Sequence, residues 1–168
     1  MCPDRRPVKS NAGGVEQKKS TMSKTKSYHH IVFATKHREM TIPEEHKKEL
    51  YAYIFGIIKN KHCFLKRMNG IGNHIHLLVD IHPTVAIADL VKDIKQWSTH
   101  WIRDNGNFPK FDSWGQGYYA VSIGVDSIES CCNYIINQER HHLGHDFLDE
   151  MEIMANVNEL GWHQDDWK

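Results

Sequence analysis

The chain has 168 residues, of which 40% are hydrophobic and 25% charged, with 21 Lys/Arg against 21 Asp/Glu. This length suits one domain with a real core, and the composition is globular rather than disordered or fibrous. The zero net charge argues against a general nucleic-acid glue, and the longest apolar runs, such as Ile75 to Val79, are too short to span a bilayer.

No apolar signal-peptide core stands near Met1, so export is not expected. Cys2, Cys63, Cys131 and Cys132 form no C-x-x-C pair and suit thiols in a reducing cytoplasm. Charge is uneven along the chain. Residues 1–26 carry a balance of +5, residues 143–168 a balance of −6, and residues 36–67 eight Lys/Arg against four Glu. A local basic surface can meet phosphates even where the sum is zero.

Residues 1–26 lack hydrophobic periodicity and contain Pro, Gly, Ser, Asn and Lys, which predicts a disordered leader. The native start is left open between Met1 and Met22. A domain is expected over 27–142, followed by an acidic helical tail of that domain over 143–168. Tyr28 to Ala34 is aromatic and β-branched, hence a strand. Thr41-Ile42-Pro43-Glu44-Glu45 opens a helix carrying Leu50, Ile54, Ile57 and Ile58, closed by Asn60-Lys61. Cys63 to Ile71 and His74 to Ile81 read as two strands joined through Gly70 and Gly72. Pro83-Thr84 opens a second helix, with Ile87, Leu90, Val91, Ile94, Trp97 and Trp101 at helical spacing, closed by Asn105-Gly106-Asn107. Gly117 to Ile123 is a fourth strand. Asp126 caps a third helix reaching about His142, and Phe147 to Leu160 forms a fourth. The order β-α-β-β-α-β-α-α predicts an α+β, ferredoxin-like, four-stranded antiparallel sheet with helices on one face and the other face open.

Two stretches carry chemistry. In the third strand His74, His76, Leu78 and Asp80 share one face, and Ile75, Leu77, Val79 and Ile81 the other. Neutral imidazole is the commonest protein metal ligand, and two at i, i+2 can grip one cation. Taken alone, an H-x-H pair among thirteen histidines is more often two partly exposed sheet residues. In the third helix Tyr134 and Gln138 share a polar face with Ser127 and Ser130. Taken alone, Tyr134 reads as an amphipathic surface residue. His29 and His30 have no demanded role, and His141, His142 and His145 read as a solvated helix end. Tyr118, Tyr119, Trp97 and Trp101 read as core or dimer interface.

Four pieces in register change that balance: Phe33-Ala34-Thr35-Lys36-His37-Arg38, His74-Ile75-His76-Leu77-Leu78-Val79, Trp114-Gly115-Gln116-Gly117-Tyr118-Tyr119 and Tyr134-Ile135-Ile136-Asn137-Gln138. Together they resemble the single-tyrosine HUH transposases of small bacterial insertion sequences and their REP-associated relatives, over roughly residues 27–142. The resemblance implies that Tyr134 is the nucleophile and that His74, His76 and Gln138 bind a divalent metal, Mg²⁺ or Mn²⁺. It implies a cytoplasmic, bacterial homodimer that cuts and rejoins single-stranded DNA beside hairpins, without a membrane partner. Lys36, His37, Arg38 and Arg67 are the expected DNA contacts, with a solvated loop and strand edge as the equal alternative. The family often carries a basic residue near Gln116, so weaker electrostatic binding is expected here. The rival reading is a non-catalytic ferredoxin-like nucleic-acid-binding protein or a domesticated regulator; against the former, the first and third strands lack an aromatic-rich binding signature.

Overall fold

A computed structural model describes residues 24–142 and 146–167. The expected leader, up to position 23, and His145 lie outside the described residues. The elements are β1 Tyr28–Ala34, α1 Lys47–Asn60, β2 Phe64–Ile71, β3 His74–Asp80, α2 Ile87–Asn105, β4 Tyr119–Ser122, α3 Ile128–Ile136, α4 Gln138–His141 and α5 Phe147–Val157. The sheet runs β2-β3-β1-β4. Every neighbouring pair is antiparallel. This is the expected α+β, ferredoxin-like order, with β3 inserted between β1 and β2.

Period-2 alternation decides what each face meets. Ile31 and Phe33 of β1 and Ile75, Leu77 and Val79 of β3 are fully buried and pack with Leu50, Ile54 and Ile58 of α1 and Leu90 and Ile94 of α2. Each such side chain contributes about 1.5–3 kcal/mol by leaving water. The opposite face, expected to be open, is covered. Leu78 packs under Cys132 and Ile135 of α3. Val32 and Ala34 pack with Tyr119 and with Phe147 and Met151 of α5. The apolar residues of the third helix and of the acidic tail needed a partner surface, and this face of the sheet is the one they find.

Three boundaries differ from the sequence pattern. Pro83-Thr84 forms a turn, closed by Val85 N–H donating to the His82 carbonyl at 2.9 Å, so α2 begins only at Ile87. β4 is shorter than expected because the carbonyls of Gly115, Gln116 and Gly117 all accept from Lys95 Nζ, at 2.8, 3.3 and 2.6 Å. Burial without a carboxylate partner lowers the Lys95 pKa to about 8. The third helix breaks at Asn137, whose side-chain amide donates to the Asn133 carbonyl at 2.8 Å and competes with the helical backbone. Among the described residues, no helix is long and apolar enough to cross a membrane.

The β2–β3 hairpin requires glycine at one position. A Cβ on Gly70 would stand 2.1 Å from the His74 carbonyl oxygen and 2.9 Å from Ile75 Cα, whereas one on Gly56 in α1 would meet nothing within 4 Å. Gly70→Ala should therefore cost about 1–3 kcal/mol by overpacking, while Gly56→Ala should gain about 0.5–1 kcal/mol by removing a helix-interior glycine. Melting curves should show opposite shifts, downward for Gly70→Ala and upward for Gly56→Ala.

Candidate active site

β3 carries His74 and His76, both 0% exposed, onto the face beneath α3 and α5. The rings lie edge to face with centroids 4.9 Å apart. Each has a partner on its Nδ1. His74 Nδ1 lies 2.7 Å from Asn73 Oδ1, and His76 Nδ1 lies 3.0 Å from Nε2 of buried His30. With Nδ1–H donating to the Asn73 oxygen, His74 presents a bare Nε2 lone pair to the site; such outer hydrogen bonds orient metal-binding imidazoles. Burial, then the neighbouring His76, holds His74 well below the usual imidazole range, so it stays neutral. Burial likewise lowers His30 to about 3. His30, expected to have no role, thus stands behind His76.

α3 brings Tyr134. Its inner side is anchored by Cys132 and Ile135, and Asn69 of β2 donates to the Ile136 carbonyl at 3.0 Å. Buried Lys47 of α1 ties the next turn, reaching Glu139 at 3.0 Å. The Tyr134 ring is 5.9 Å from His76 and 6.0 Å from His30, centroid to centroid. Its hydroxyl donates to Glu150 Oε1 of α5. Burial first, and then the Glu150 carboxylate, raises the phenol pKa well above its ordinary value. The residue is half-buried, and its open side borders a cleft of about 360 Å³ lined also by Tyr119, Ser127, Ser130 and Asn158.

The helix break at Asn137 does not separate Gln138 from the site. Gln138 is 0% exposed, with Oε1 at 3.4 Å from His74 Nε2 and Nε2 donating to Glu150 Oε1 at 3.0 Å. Tyr134, His74, His76 and Gln138 therefore converge. Two further residues join them. His142 Nε2 is 3.2 Å from His74 Nε2 and 3.1 Å from Gln138 Oε1. Glu150 Oε2 is 3.0 Å from His142 Nε2 and 3.7 Å from His74 Nε2, and Oε1 is 3.6 Å from His76 Nε2. Burial alone would raise the Glu150 carboxyl; hydrogen bonds from His142, His76 and Tyr134 outweigh it and hold the group well below the carboxylate range. The reading of His142 as a solvated helix end is thus corrected. Its spacing of four from Gln138 was the available signal. Glu150 lay in the acidic tail and had no local signal beyond standing beside Met151 on the apolar side of its helix.

The donor set fits a divalent cation. Atoms about 2.0–2.2 Å from one ion stand roughly 3.0–3.5 Å from each other. The donor atoms of His74, His142 and Glu150 all lie within 4.8 Å of one another.

The expected DNA contacts lie elsewhere, after β1 and on β2. Lys36 pairs with Asp112 at 2.7 Å, and the Arg38 guanidinium donates to the Trp167 carbonyl at 2.6 Å. His37 and Arg38 both adopt positive φ, 56° and 59°. Thr35 Oγ1 donating to the Glu39 carbonyl at 2.7 Å and Asn73 Nδ2 donating to the Arg38 carbonyl at 3.1 Å hold this strained loop. Arg67 is exposed on β2, beside a bulge.

The family model "Transposase IS200 like" matches residues 23–138. Curated transposases for insertion sequence element IS200 from Salmonella typhimurium and Salmonella typhi are each 23% identical over 127 residues, covering 73% of this chain and 80% of theirs. A solved structure described as a transposase candidate from Deinococcus radiodurans R1 has a TM-score of 0.56 at 23% identity, covering 72% of this chain and 97% of its own. The structure of a REP-associated tyrosine transposase bound to a REP hairpin has a TM-score of 0.54 at 13% identity, covering 84% and 74%. With a family match that spans more than half its length, this chain belongs to the IS200-like transposase family.

Proposed function

We propose that this protein cuts and rejoins single-stranded DNA at hairpin-flanked ends through a 5′-phosphotyrosine on Tyr134, with a divalent metal, Mg²⁺ or Mn²⁺, held by His74, His76 and Gln138. The observation that carries this reading is the convergence of the Tyr134 hydroxyl on buried imidazoles from another element. An apolar core would serve packing better than four close imidazoles and a phenol. The REP hairpin bound to one structural relative supports a hairpin substrate.

His74, His76 and Gln138 would hold the cation, whose chemistry when bound would be Lewis-acid polarisation of the scissile phosphate. Asn73 and His30 orient the two strand imidazoles. Tyr134 attacks phosphorus after losing its hydroxyl proton, and the 3′-oxygen leaves, taking up a proton. The ester on Tyr134 conserves the phosphodiester bond, so a 3′-hydroxyl attacking it rejoins a strand and returns the phenol without ATP. The cleft beside Tyr134 gives a phosphate an approach from the β4–α3 side. Lys36, His37, Arg38 and Arg67 would contact the strand; exposed ion pairs are worth about 0–1 kcal/mol, so a phosphate can displace Asp112 from Lys36. Stacked bases add on the order of 1–3 kcal/mol each. A cytoplasmic homodimer completes the reading, supported by Phe55 and Trp97, which are 47% and 52% exposed.

Incubation with Mn²⁺ and a hairpin-bearing DNA strand should leave a covalent adduct visible as a mass shift on the tryptic peptide containing Tyr134. Tyr134→Phe should form none; an adduct persisting in that variant assigns the nucleophile elsewhere. Replacing His74 and His76 together by Ala should slow cleavage roughly 10²–10³-fold, the equivalent of several kcal/mol of phosphate activation. Hairpin binding in a mobility-shift assay should change little. Cleavage undiminished in excess chelator would remove the metal from the mechanism.

A further inference from the structure

The site contains more donors than the proposed ligand set uses, and they come from the C-terminal segment. His74 Nε2, His142 Nε2, Gln138 Oε1 and Glu150 Oε2 stand 3.0–3.7 Å from their neighbours around one point. Three of these atoms are acceptors. With Nδ1–H of His74 donating toward Asn73, its Nε2 can only accept. Gln138 turns its amide nitrogen to Glu150 Oε1, so its oxygen can only accept. Glu150 Oε2 is a carboxylate oxygen. His142 Nε2 stands 3.0–3.2 Å from all three. A cation among the four would satisfy all of them together.

Burial singles out the same residues. Of the described acids after residue 142, Glu150 is buried, while Asp146, Asp149, Glu152, Glu159 and Asp165 are exposed. Phe147, Met151 and Ala155 dock α5 on the sheet, with the Phe147 ring 4.9 Å from that of His74. Taking a carboxylate out of water costs several kcal/mol unless it is paired. A helix whose other acids all stay in solvent has placed one against the imidazoles.

We propose that His142 and Glu150 complete the metal centre, so that His142 Nε2 and Glu150 Oε2 join His74, His76 and Gln138 in its donor set. The other oxygen, Oε1, accepts the Tyr134 hydroxyl, so one carboxylate fixes nucleophile and cation at a set separation. The C-terminal helix is then part of the catalytic apparatus. Three imidazoles with two oxygens suit Mn²⁺ better than Mg²⁺, which favours all-oxygen sites. This inference rests on the metal-assisted reading above, and the test separates the two.

Mn²⁺ alone is titrated into the full-length protein without DNA, and free Mn²⁺ is read by its EPR signal. Glu150→Gln, which keeps size and one acceptor oxygen, and His142→Ala should each weaken Mn²⁺ binding at least about tenfold, as expected for lost ligands. Glu152→Gln, exposed on the same helix, should leave it unchanged. Melting temperature reports folding for each variant. If His74→Ala loses Mn²⁺ while Glu150→Gln and His142→Ala retain wild-type affinity, this inference is overturned and the simpler ligand set stands. If wild type and His74→Ala bind Mn²⁺ equally, the metal reading itself fails, and this inference with it. Unchanged Mn²⁺ affinity with faster adduct formation in Glu150→Gln would make the carboxylate an obstacle to Tyr134, and likewise overturns it.

Discussion

A carboxylate that leaves water must be met by donors, and at Glu150 that requirement joins every element around the site. Its oxygens touch Tyr134 of α3, Gln138 of α4, His142 just beyond it, and the imidazoles of β3. Leaving a buried carboxylate without its hydrogen-bond donors costs its desolvation, far more than an exposed ion pair contributes. The position of α5 is therefore set by polar constraint as well as by Phe147 and Met151. Without that helix His74 would lose the cover of Phe147, and the site would open on that side. With it His74, His76 and Gln138 are fully buried.

The arrangement depends equally on β3 being central and covered on both sides. One set of alternate residues, Ile75, Leu77 and Val79, holds the strand against α1 and α2. The other set presents His74 and His76 to the second layer, in register with β1 through the pairs Ala34–His74 and Val32–His76. A slip of one residue would turn the imidazoles against α1 and α2 and turn Ile75, Leu77 and Val79 into the second layer. Gly70 guards that register, because its hydrogen lies against the His74 carbonyl. The packing of the first layer is thus what aims the chemistry of the second.

Much of this was legible in the sequence. The bounds of β1 follow from its β-branched run, and the two-residue alternation in β3 correctly separates the core face from the imidazole face. The Tyr134–Gln138 spacing survives even though the helix breaks between them, since both residues flank Asn137 within one turn. What was not legible depends on contacts distant in sequence. His30 reaches His76 across 46 positions, and Glu150 reaches Gln138 across a break in the helical run. Counted as a block, the tail's acids read as solvent-facing. The charge of a block does not reveal which acid stands beside Phe147 and Met151, and that position decides burial. The open face expected for the sheet failed for the same reason. Apolar residues in α3 and α5 were visible, but their only available surface was the one assigned to ligand.

The same logic applies to the basic segment. Residues 36–67 hold eight Lys/Arg, yet half of them are engaged within the chain. Lys36 meets Asp112, Lys47 meets Glu44 and Glu139, Lys61 meets Asp93, and Arg38 meets the Trp167 carbonyl. Lys48, Lys59, Lys66 and Arg67 are exposed. Counterion release scales with the number of phosphates neutralised, so a neutral protein with few such cations gains little sequence-independent affinity. On the proposed reading, hairpin shape and base stacking would supply what electrostatics does not. A bound cation would also matter more here than in a basic relative. It would offset the negative charge of Glu150, which stands beside the proposed nucleophile.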